Sequence, residues 1–519
     1  MPPRKTTKQK PTSRKKPVPG AKLRRTRTGK PTSDNNRSPL IAEGSPDAFR
    51  VRVRMYRQGL GDCFLLTFPR PEQQPFHILI DCGALGRGKP FMTRIVEHIR
   101  DTIRAGKLTG KARLDVVVVT HEHKDHVSGF NQARSVFNDD FDIGAVWMGW
   151  TENLAKPEIK AIKARKKKAI AQLHAALASP FAGSAPLEGV APLLGFSEDD
   201  DSTGSGKISE AMEYLKLRGK NANDMRYLRP GDGPFELGGV PSVRAYVLGP
   251  PEDPILLRTS AVTEEMKRQD VVYHLTAGGD AGIDALGAAL APLAGASGKD
   301  GERYFPFSDE HRIPRNAPGA SAKVNPYFSS ILSFVSATYD NSEQSWRRID
   351  DDWLAGFGQL ALDLDNDTNN TSLVLAFEFV KQGEVLLFVG DAQVGNWQSW
   401  AKVEFRLPER ARPLPALELL SRTVFYKVGH HCSHNATLKK GGLELMTRDD
   451  LVAFIPLDQE TAKKQGTKGW EMPAPRLFAA LKQRAAERVV MSDVKENICD
   501  AARNSGVCAT DTYIDFFLP

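Results

Sequence analysis

The chain has 519 residues, of which 40% are hydrophobic, and 71 Lys or Arg against 63 Asp or Glu give it a formal net charge of +8. No stretch approaches the roughly 18 to 20 continuous apolar residues that a membrane span requires. No apolar run follows the basic start, and the five cysteines are few and scattered, as in a reduced protein rather than a secreted disulfide scaffold. The sequence therefore predicts a cytoplasmic protein with a large core and no membrane segment.

The positive charge is concentrated at the N-terminus. Residues 1 to 37 contain thirteen Lys or Arg and a single acid, Asp34. Because almost nothing apolar interrupts this segment, residues 1 to 47 are predicted to be a disordered tail. A flexible polycation binds phosphate backbones without reading sequence, so we expect nucleic acid as a partner, bound through residues such as Arg24, Arg25 and Arg27. The alternative is a solubilising tail with no partner.

Residues 116 to 126 are the most informative segment. Four consecutive valines are followed by Thr-His-Glu-His-Lys-Asp-His. The valine run indicates a strand covered on both faces, and the polar cluster begins where that strand ends. Imidazole and carboxylate groups are ligands for zinc, iron or manganese. We expect His121 and His123 to bind one ion, and Asp125 and His126, at the start of the next helix, to bind a second.

Residues 151 to 360 are less regular, and we interpret them as a largely helical insertion that covers the site and selects the substrate. Strands near 230 to 250 return from it to the sheets. A helical pattern over 154 to 180 carries a basic run, residues 165 to 168, which is either a solvated face or a nucleic-acid contact.

Two further clusters follow strand-like segments. An apolar run ends at Gly390 and Asp391, and the glycine permits a sharp turn that carries the short carboxylate toward a metal. Residues 423 to 434 again read as a strand followed by histidines, His430, His431 and His434. Three strand-end clusters in this order predict one metal centre.

Together these motifs resemble the metallo-β-lactamase superfamily of hydrolases, and within it the soluble domain of ComEC-type competence proteins. Segments 59 to 66, 78 to 83 and 370 to 375 add to the likeness, which covers residues 50 to 150 and 360 to 500. The resemblance implies an α/β fold, the αββα sandwich, with halves at 48–150 and 361–519. It also implies that Asp391 bridges two ions, that His430 binds the second, and that Asp81 supports the ligands from outside the coordination sphere.

The chain departs from the family pattern in three places. The superfamily usually has one more histidine before the bridging aspartate, and the candidate strand at 245 to 250 ends without one. Cys432 stands where relatives usually have glycine, and residues 470 to 473 lack a Gly-His-Pro motif. These departures leave open whether the site holds one ion or two.

The expected chemistry is hydrolysis by a metal-activated hydroxide. Two divalent ions would lower the pKa of a water molecule that they share. Zinc is the expected metal, with manganese or iron as alternatives. Asp125, His431 and His434 are the candidate catalytic residues, because a histidine beside the ligand His430 could stabilise developing charge or protonate the leaving group. The predicted substrate is a nucleic-acid phosphodiester. The alternatives are a small ester, lactam or thioester, or a metal-stabilised interaction module without activity.

Overall fold

The computed structural model describes residues 49–71, 73–105, 110–179, 187, 189–197, 207–259, 326–347, 355–465, 469–494 and 506–519. The predicted basic tail, with Arg24, Arg25 and Arg27, lies outside the described residues, as does segment 260–325 of the predicted insertion.

The strands of the described residues are β1 Val51–Tyr56, β2 Phe64–Phe68, β3 Phe76–Ile80, β4 Ala112–Val119, β5 Phe141–Gly149, β6 Met225–Leu228, β7 Phe235–Leu237, β8 Val240–Gly249, β9 Val374–Phe379, β10 Glu384–Phe388, β11 Glu404–Phe405, β12 Leu414–Pro415, β13 Thr423–Lys427, β14 Val452–Ile455, β15 Val489–Met491, β16 Val507–Ala509 and β17 Tyr513–Leu518. They form an eight-stranded sheet in the order β16-β17-β1-β2-β3-β4-β5-β6, a seven-stranded sheet in the order β15-β14-β13-β10-β9-β8-β7, and the pair β11-β12. Both large sheets are mixed. Strands β3 to β6 are parallel in the first, and β10, β13, β14 and β15 are parallel in the second.

The helices of the described residues are α1 Lys89–Arg104, α2 Lys124–Gln132, α3 Arg134–Asp140, α4 Pro157–Leu177, α5 Val190–Ser197, α6 Ile208–Asn221, α7 Pro254–Leu257, α8 Pro326–Thr338, α9 Ala355–Asn370, α10 Val394–Ser399, α11 Ala416–Leu420, α12 Gln459–Lys463 and α13 Pro475–Arg484. α1 shows why these segments are helical. Its buried residues recur at helical spacing, from Met92 through Ile95, Val96 and Ile99 to Ile103, and so form one apolar face.

The two large sheets pack against each other through one buried apolar cluster. It includes Val118 of β4, Phe388 of β10 and Phe425 of β13. Alternate residues of the same strands point away from this interface: Val117 packs with α1, α2, α3 and α6, and Leu387 packs with α10, α11 and α13. Because both faces of each sheet are covered, the central strands are apolar without a break, which explains the valine run of β4.

Helices α4, α5 and α9 form a separate cluster of their own. Leu173 of α4, Leu194 of α5 and Leu364 of α9 are among its buried members. α4 and α5 lie within the predicted insertion, whereas α9 crosses its predicted boundary at residue 360. Between 207 and 249, however, α6 and β6 belong to the first sheet layer, and β7 and β8 belong to the second sheet.

The structure confirms the predicted α/β class. None of the helices in the described part of the chain is long and apolar enough to cross a membrane. The cysteines differ in part from expectation: Cys63, Cys82 and Cys432 are buried free thiols, but Cys508 is disulfide-bonded.

Candidate metal centre

The predicted clusters meet at one edge of the two sheets. β3 and β4 are parallel neighbours in the first sheet, and β10 and β13 are parallel neighbours in the second. Parallel neighbours end on the same side, so the segments after them begin close together. Asp81 follows β3, His121 follows β4, Asp391 follows β10, and His431 follows β13.

Four buried side chains form the centre of the site: Asp62, His126, Asp391 and His431. One ligand atom from each lies within 4.8 Å of all the others, and no member is more than 2% exposed. They come from the β1–β2 turn, the first turn of α2, and the segments after β10 and β13. Two carboxylates and two imidazoles at this spacing are a donor set suited to zinc or another divalent transition metal.

Asp81 fixes the orientation of His126. The Asp81 Oδ2 atom lies 2.8 Å from His126 Nδ1, and the same carboxylate accepts hydrogen bonds from the Thr120 amide at 2.8 Å and hydroxyl at 2.6 Å. With Nδ1 engaged, His126 Nε2 faces Asp391 Oδ2 at 3.2 Å. A carboxylate behind a histidine in this way sets the tautomer that leaves the other nitrogen for a metal. This is the position expected for Asp81.

His431 is oriented in the same way by a backbone carbonyl. Its Nδ1 donates to the carbonyl oxygen of Pro456 at 2.6 Å, and its Nε2 lies 2.9 Å from Asp125 Oδ2 and 3.6 Å from Asp391 Oδ2. The backbone here is left-handed over three consecutive residues, with φ of 42° at His430, 48° at His431 and 65° at Cys432. Such a conformation costs energy in residues other than glycine and is concentrated at functional sites.

A lysine lies among the carboxylates. Lys427, the last residue of β13, is 1% exposed, and its Nζ is 2.5 Å from Asp62 Oδ2 and 3.3 Å from Asp391 Oδ1. It also donates to the Gly390 carbonyl at 2.8 Å. This single ammonium offsets part of the negative charge of the two aspartates, which agrees with the rule that buried charges are paired.

Gly390 is required by a close approach at this edge. It has φ of 53°, and a Cβ placed on it would be 2.8 Å from the Cβ of Thr120. The prediction that glycine allows Asp391 to turn toward the site therefore has a steric basis. The Asp391 amide is then fixed by a hydrogen bond to Ser372 Oγ at 3.0 Å.

Several buried polar atoms at the centre have no hydrogen-bond partner among the described residues: Asp62 Oδ1, Asp125 Oδ1 and His126 Nε2. His126 Nε2 is near Asp391 but not in hydrogen-bond geometry. Leaving a buried polar atom unpaired costs about 1 to 3 kcal/mol. A cation bound at the group of four would give Asp62 and His126 the partner that these atoms lack.

The electrostatics of the site favour a positive charge at this point. Burial alone would lower the pKa of His126, but the surrounding carboxylates, Asp391 foremost, raise it well above its usual value. Burial alone would raise the pKa of Asp391, but His126, His431 and Lys427 hold it well below its usual value. A bound cation would supply the charge that protons on the imidazoles otherwise provide.

His121 and His123 lie beside this group rather than within it. The rings of His121 and His126 are 4.1 Å apart, and His121 Nε2 is 3.1 Å from His123 Nδ1. Nitrogen atoms that share a tetrahedral zinc ion at about 2.0 to 2.1 Å are separated by only slightly more than this. On its far side, His123 Nε2 is 3.8 Å from Asp365 Oδ1 of α9. The two histidines therefore present adjacent ring nitrogens beside the group of four.

The structure assigns different positions to the adjacent histidines than the sequence prediction did. The side chain of His430, the expected ligand, contacts Asn369 Nδ2 at 3.3 Å and Ser433 Oγ at 2.6 Å instead of joining the group of four. His431, the expected catalytic residue, belongs to the group of four instead. The reason is the left-handed backbone at both residues, which turns the two side chains in different directions. His434 is exposed and is not part of the group.

Asp62 lies in segment 59 to 66, which contributes to the family resemblance, but the sequence does not predict it as a ligand. The available signal was the glycine pair at 59 and 61 that precedes it. Gly61 has φ of 142°, and a Cβ there would lie 2.4 Å from the Asp125 carbonyl oxygen. This close packing brings the Asp62 amide within 3.0 Å of the same oxygen and so holds Asp62 against α2.

Comparison with known proteins gives no assignment: no protein-family model matches the chain, and no curated protein matches it.

Proposed function

We propose that this protein is a metal-dependent hydrolase of the metallo-β-lactamase type, with a phosphodiester of nucleic acid as its substrate. The observation that carries the proposal is the buried group Asp62, His126, Asp391 and His431, whose ligand atoms lie within 4.8 Å of one another. Two packed sheets with helices on their outer faces, and a site at the edge where the strands end, are what the proposed αββα sandwich requires.

In this proposal the group of four would hold one divalent cation, and His121 and His123 would hold a second. Zinc is the preferred metal for both. When bound, these cations activate a water molecule and polarise an oxygen of the substrate. Asp391 Oδ2 lies 3.2 Å from His126 Nε2, so both side chains would bind the first cation. Asp81 and the Pro456 carbonyl keep the two ligand imidazoles in the correct tautomer.

Asp125 is the proposed proton acceptor. Its Oδ2 lies 2.9 Å from His431 Nε2, the nitrogen that would bind the cation, and its Oδ1 has no hydrogen-bond partner among the described residues. The free oxygen can accept a proton from the attacking water and hold that water in line. Burial raises the pKa of Asp62, and the Lys427 ammonium opposes that shift. Burial of the whole centre also excludes bulk water, which strengthens each electrostatic contact.

The choice of phosphodiester rests on charge and on the family resemblance. The basic segment 1 to 37 and the basic helix α4 both favour a polyanionic substrate. A small ester, lactam or thioester is the second candidate, because the same centre polarises any of these groups. A metal-stabilised interaction module is the third.

The decisive experiment measures metal content and turnover on the same purified protein. Elemental analysis should find one to two transition-metal ions per chain, and bis(p-nitrophenyl) phosphate should be hydrolysed. Asp391→Asn should lose both properties, while Asp142→Asn, at a carboxylate with 58% exposure, should keep both. Metal with turnover of esters alone would favour the second candidate, metal without turnover would favour the third, and a metal-free protein would overturn the metal centre.

A further inference from the structure

Helix α4 contacts the loop that carries His121 and His123. Lys163 Nζ is 2.7 Å from Glu122 Oε2, and Lys166 Nζ is 2.9 Å from Glu122 Oε1. Glu122 is the residue between His121 and His123. Lys166 also donates to Thr368 Oγ1 of α9 at 2.9 Å, so α4 is fixed both to the β4–α2 loop and to α9.

The charge of α4 is strongly one-sided. The helix contains six Lys or Arg and one acid, Glu158. Lys156, the N-cap residue, precedes Lys160, Lys163 and Lys167 at spacings of four, three and four, which places all four on one face. We call this set the lysine stripe. Lys156, Lys160 and Lys167 are exposed, whereas Lys163 reaches inward to Glu122.

The stripe has the length and position of a track for a phosphate backbone. Eleven residues of helix span about 16 Å, a length along which several phosphates of one extended strand can lie. Arg258, at the end of α7, is exposed and lines the cavity that α4, α7 and α9 enclose, together with Lys163 and Lys166.

The cavity itself is less suited to phosphate than the stripe. Asp363 and Asp367 line its α9 side, and Leu257 and Leu364 form an apolar part of its wall. No aromatic side chain belongs to its described lining, so it provides no platform on which a base could stack. The backbone of a bound strand is therefore expected along the outer face of α4, with recognition by charge rather than by base.

We propose that the lysine stripe and Arg258 bind the phosphate backbone of a single nucleic-acid strand and guide it to the metal centre. The inference rests on the proposed function, because it identifies the polymer that the same site would cleave. A single strand is favoured over a duplex because the centre is buried, and only a flexible chain can bend toward ligands that are at most 2% exposed.

The test compares two triple variants of the full-length protein. Lys156→Gln/Lys160→Gln/Lys167→Gln removes three charges from the stripe and spares the paired Lys163. Lys381→Gln/Lys402→Gln/Arg412→Gln removes three charges from exposed positions outside it. Binding of both variants to a fluorescent single-stranded oligonucleotide is measured by anisotropy over a series of salt concentrations. Cleavage of the same oligonucleotide and hydrolysis of bis(p-nitrophenyl) phosphate are then measured for both.

The stripe variant should bind the oligonucleotide at least tenfold more weakly. Its slope of log affinity against log salt should be shallower by about 2, since each contacted phosphate contributes about 0.7 on a single strand. Its ratio of kcat/KM for the oligonucleotide to kcat/KM for the small diester should also fall at least tenfold. Equal binding and equal salt slope in both variants would overturn the inference. Absence of hydrolysis in the wild-type protein would instead count against the proposed function, and the binding comparison would still decide the role of the stripe.

Discussion

His431 Nε2 lies 2.9 Å from Asp125 Oδ2, although the two residues are 306 positions apart in the chain. Asp125 belongs to the helix after β4 of the first sheet, and His431 to the segment after β13 of the second. This contact joins the two sheets at the edge that carries the metal centre. The site therefore exists only when both halves of the fold have assembled.

The adjacent histidines should differ in their effect on metal binding. His431→Ala should lose at least one bound metal ion per chain, because it removes a nitrogen from the group of four. His430→Ala should retain most of its metal, since the His430 ring contacts Asn369 and Ser433. Elemental analysis of both variants measures this. A metal-free His430→Ala with a fully loaded His431→Ala would reverse the assignment.

Removal of metal should destabilise the fold. Without a cation, several carboxylates at the centre share Lys427 as their buried ammonium partner, so their mutual repulsion is incompletely offset. A metal present at 100 times its Kd stabilises the native state by about 2.7 kcal/mol. Thermal unfolding with and without a chelator measures the loss. The control is Asp391→Asn, which should unfold at the same temperature under both conditions, and an equal chelator effect in that variant would contradict the prediction.

A buried ion pair away from the site should contribute strongly to stability. Arg54 on β1 donates to both oxygens of Asp515 on β17 at 2.7 Å, and these side chains are 1% and 0% exposed. Asp515→Ala leaves the guanidinium buried without its partner and should cost about 3 to 5 kcal/mol of unfolding free energy. Asp142→Ala, which breaks the exposed pair with Arg113, should cost about 0 to 1 kcal/mol. Chemical denaturation of both variants makes the comparison, and equal losses would refute it.

His77 should make the fold less stable in mild acid. Burial, with Arg52 and Arg70 nearby, lowers its pKa to about 3. Below the usual value near 6.5 the unfolded chain therefore takes up a proton that the folded chain excludes, and stability falls as the pH falls. The loss attributable to this residue is about 2 kcal/mol between pH 7 and pH 5. His77→Gln should show a correspondingly weaker pH dependence in denaturant titrations. Parallel curves for the variant and the wild-type protein would show that His77 is protonated in the native state.

The strand ends could be predicted because their signals are local. The valine run of β4 and the apolar run of β10 each stop at a polar cluster, and parallel pairing then brings these clusters to one edge. The choice between His430 and His431 could not be predicted, since it depends on a left-handed backbone that no local pattern indicates. Asp62 presented a similar difficulty: its position depends on the packing of Gly61 against Asp125, a contact between distant segments.

The order of the strands also bears on self-association. An exposed edge strand offers unpaired amides and carbonyls to another chain, and long edge strands are the usual starting points of amyloid-like polymerisation. Here the long strands are interior, and each large sheet ends in strands of three or four residues: β16, β6, β15 and β7. Such short edges present too few backbone groups in register to template a partner strand. Within the described residues, the edges of the two extensive sheets therefore offer no seed for fibre growth.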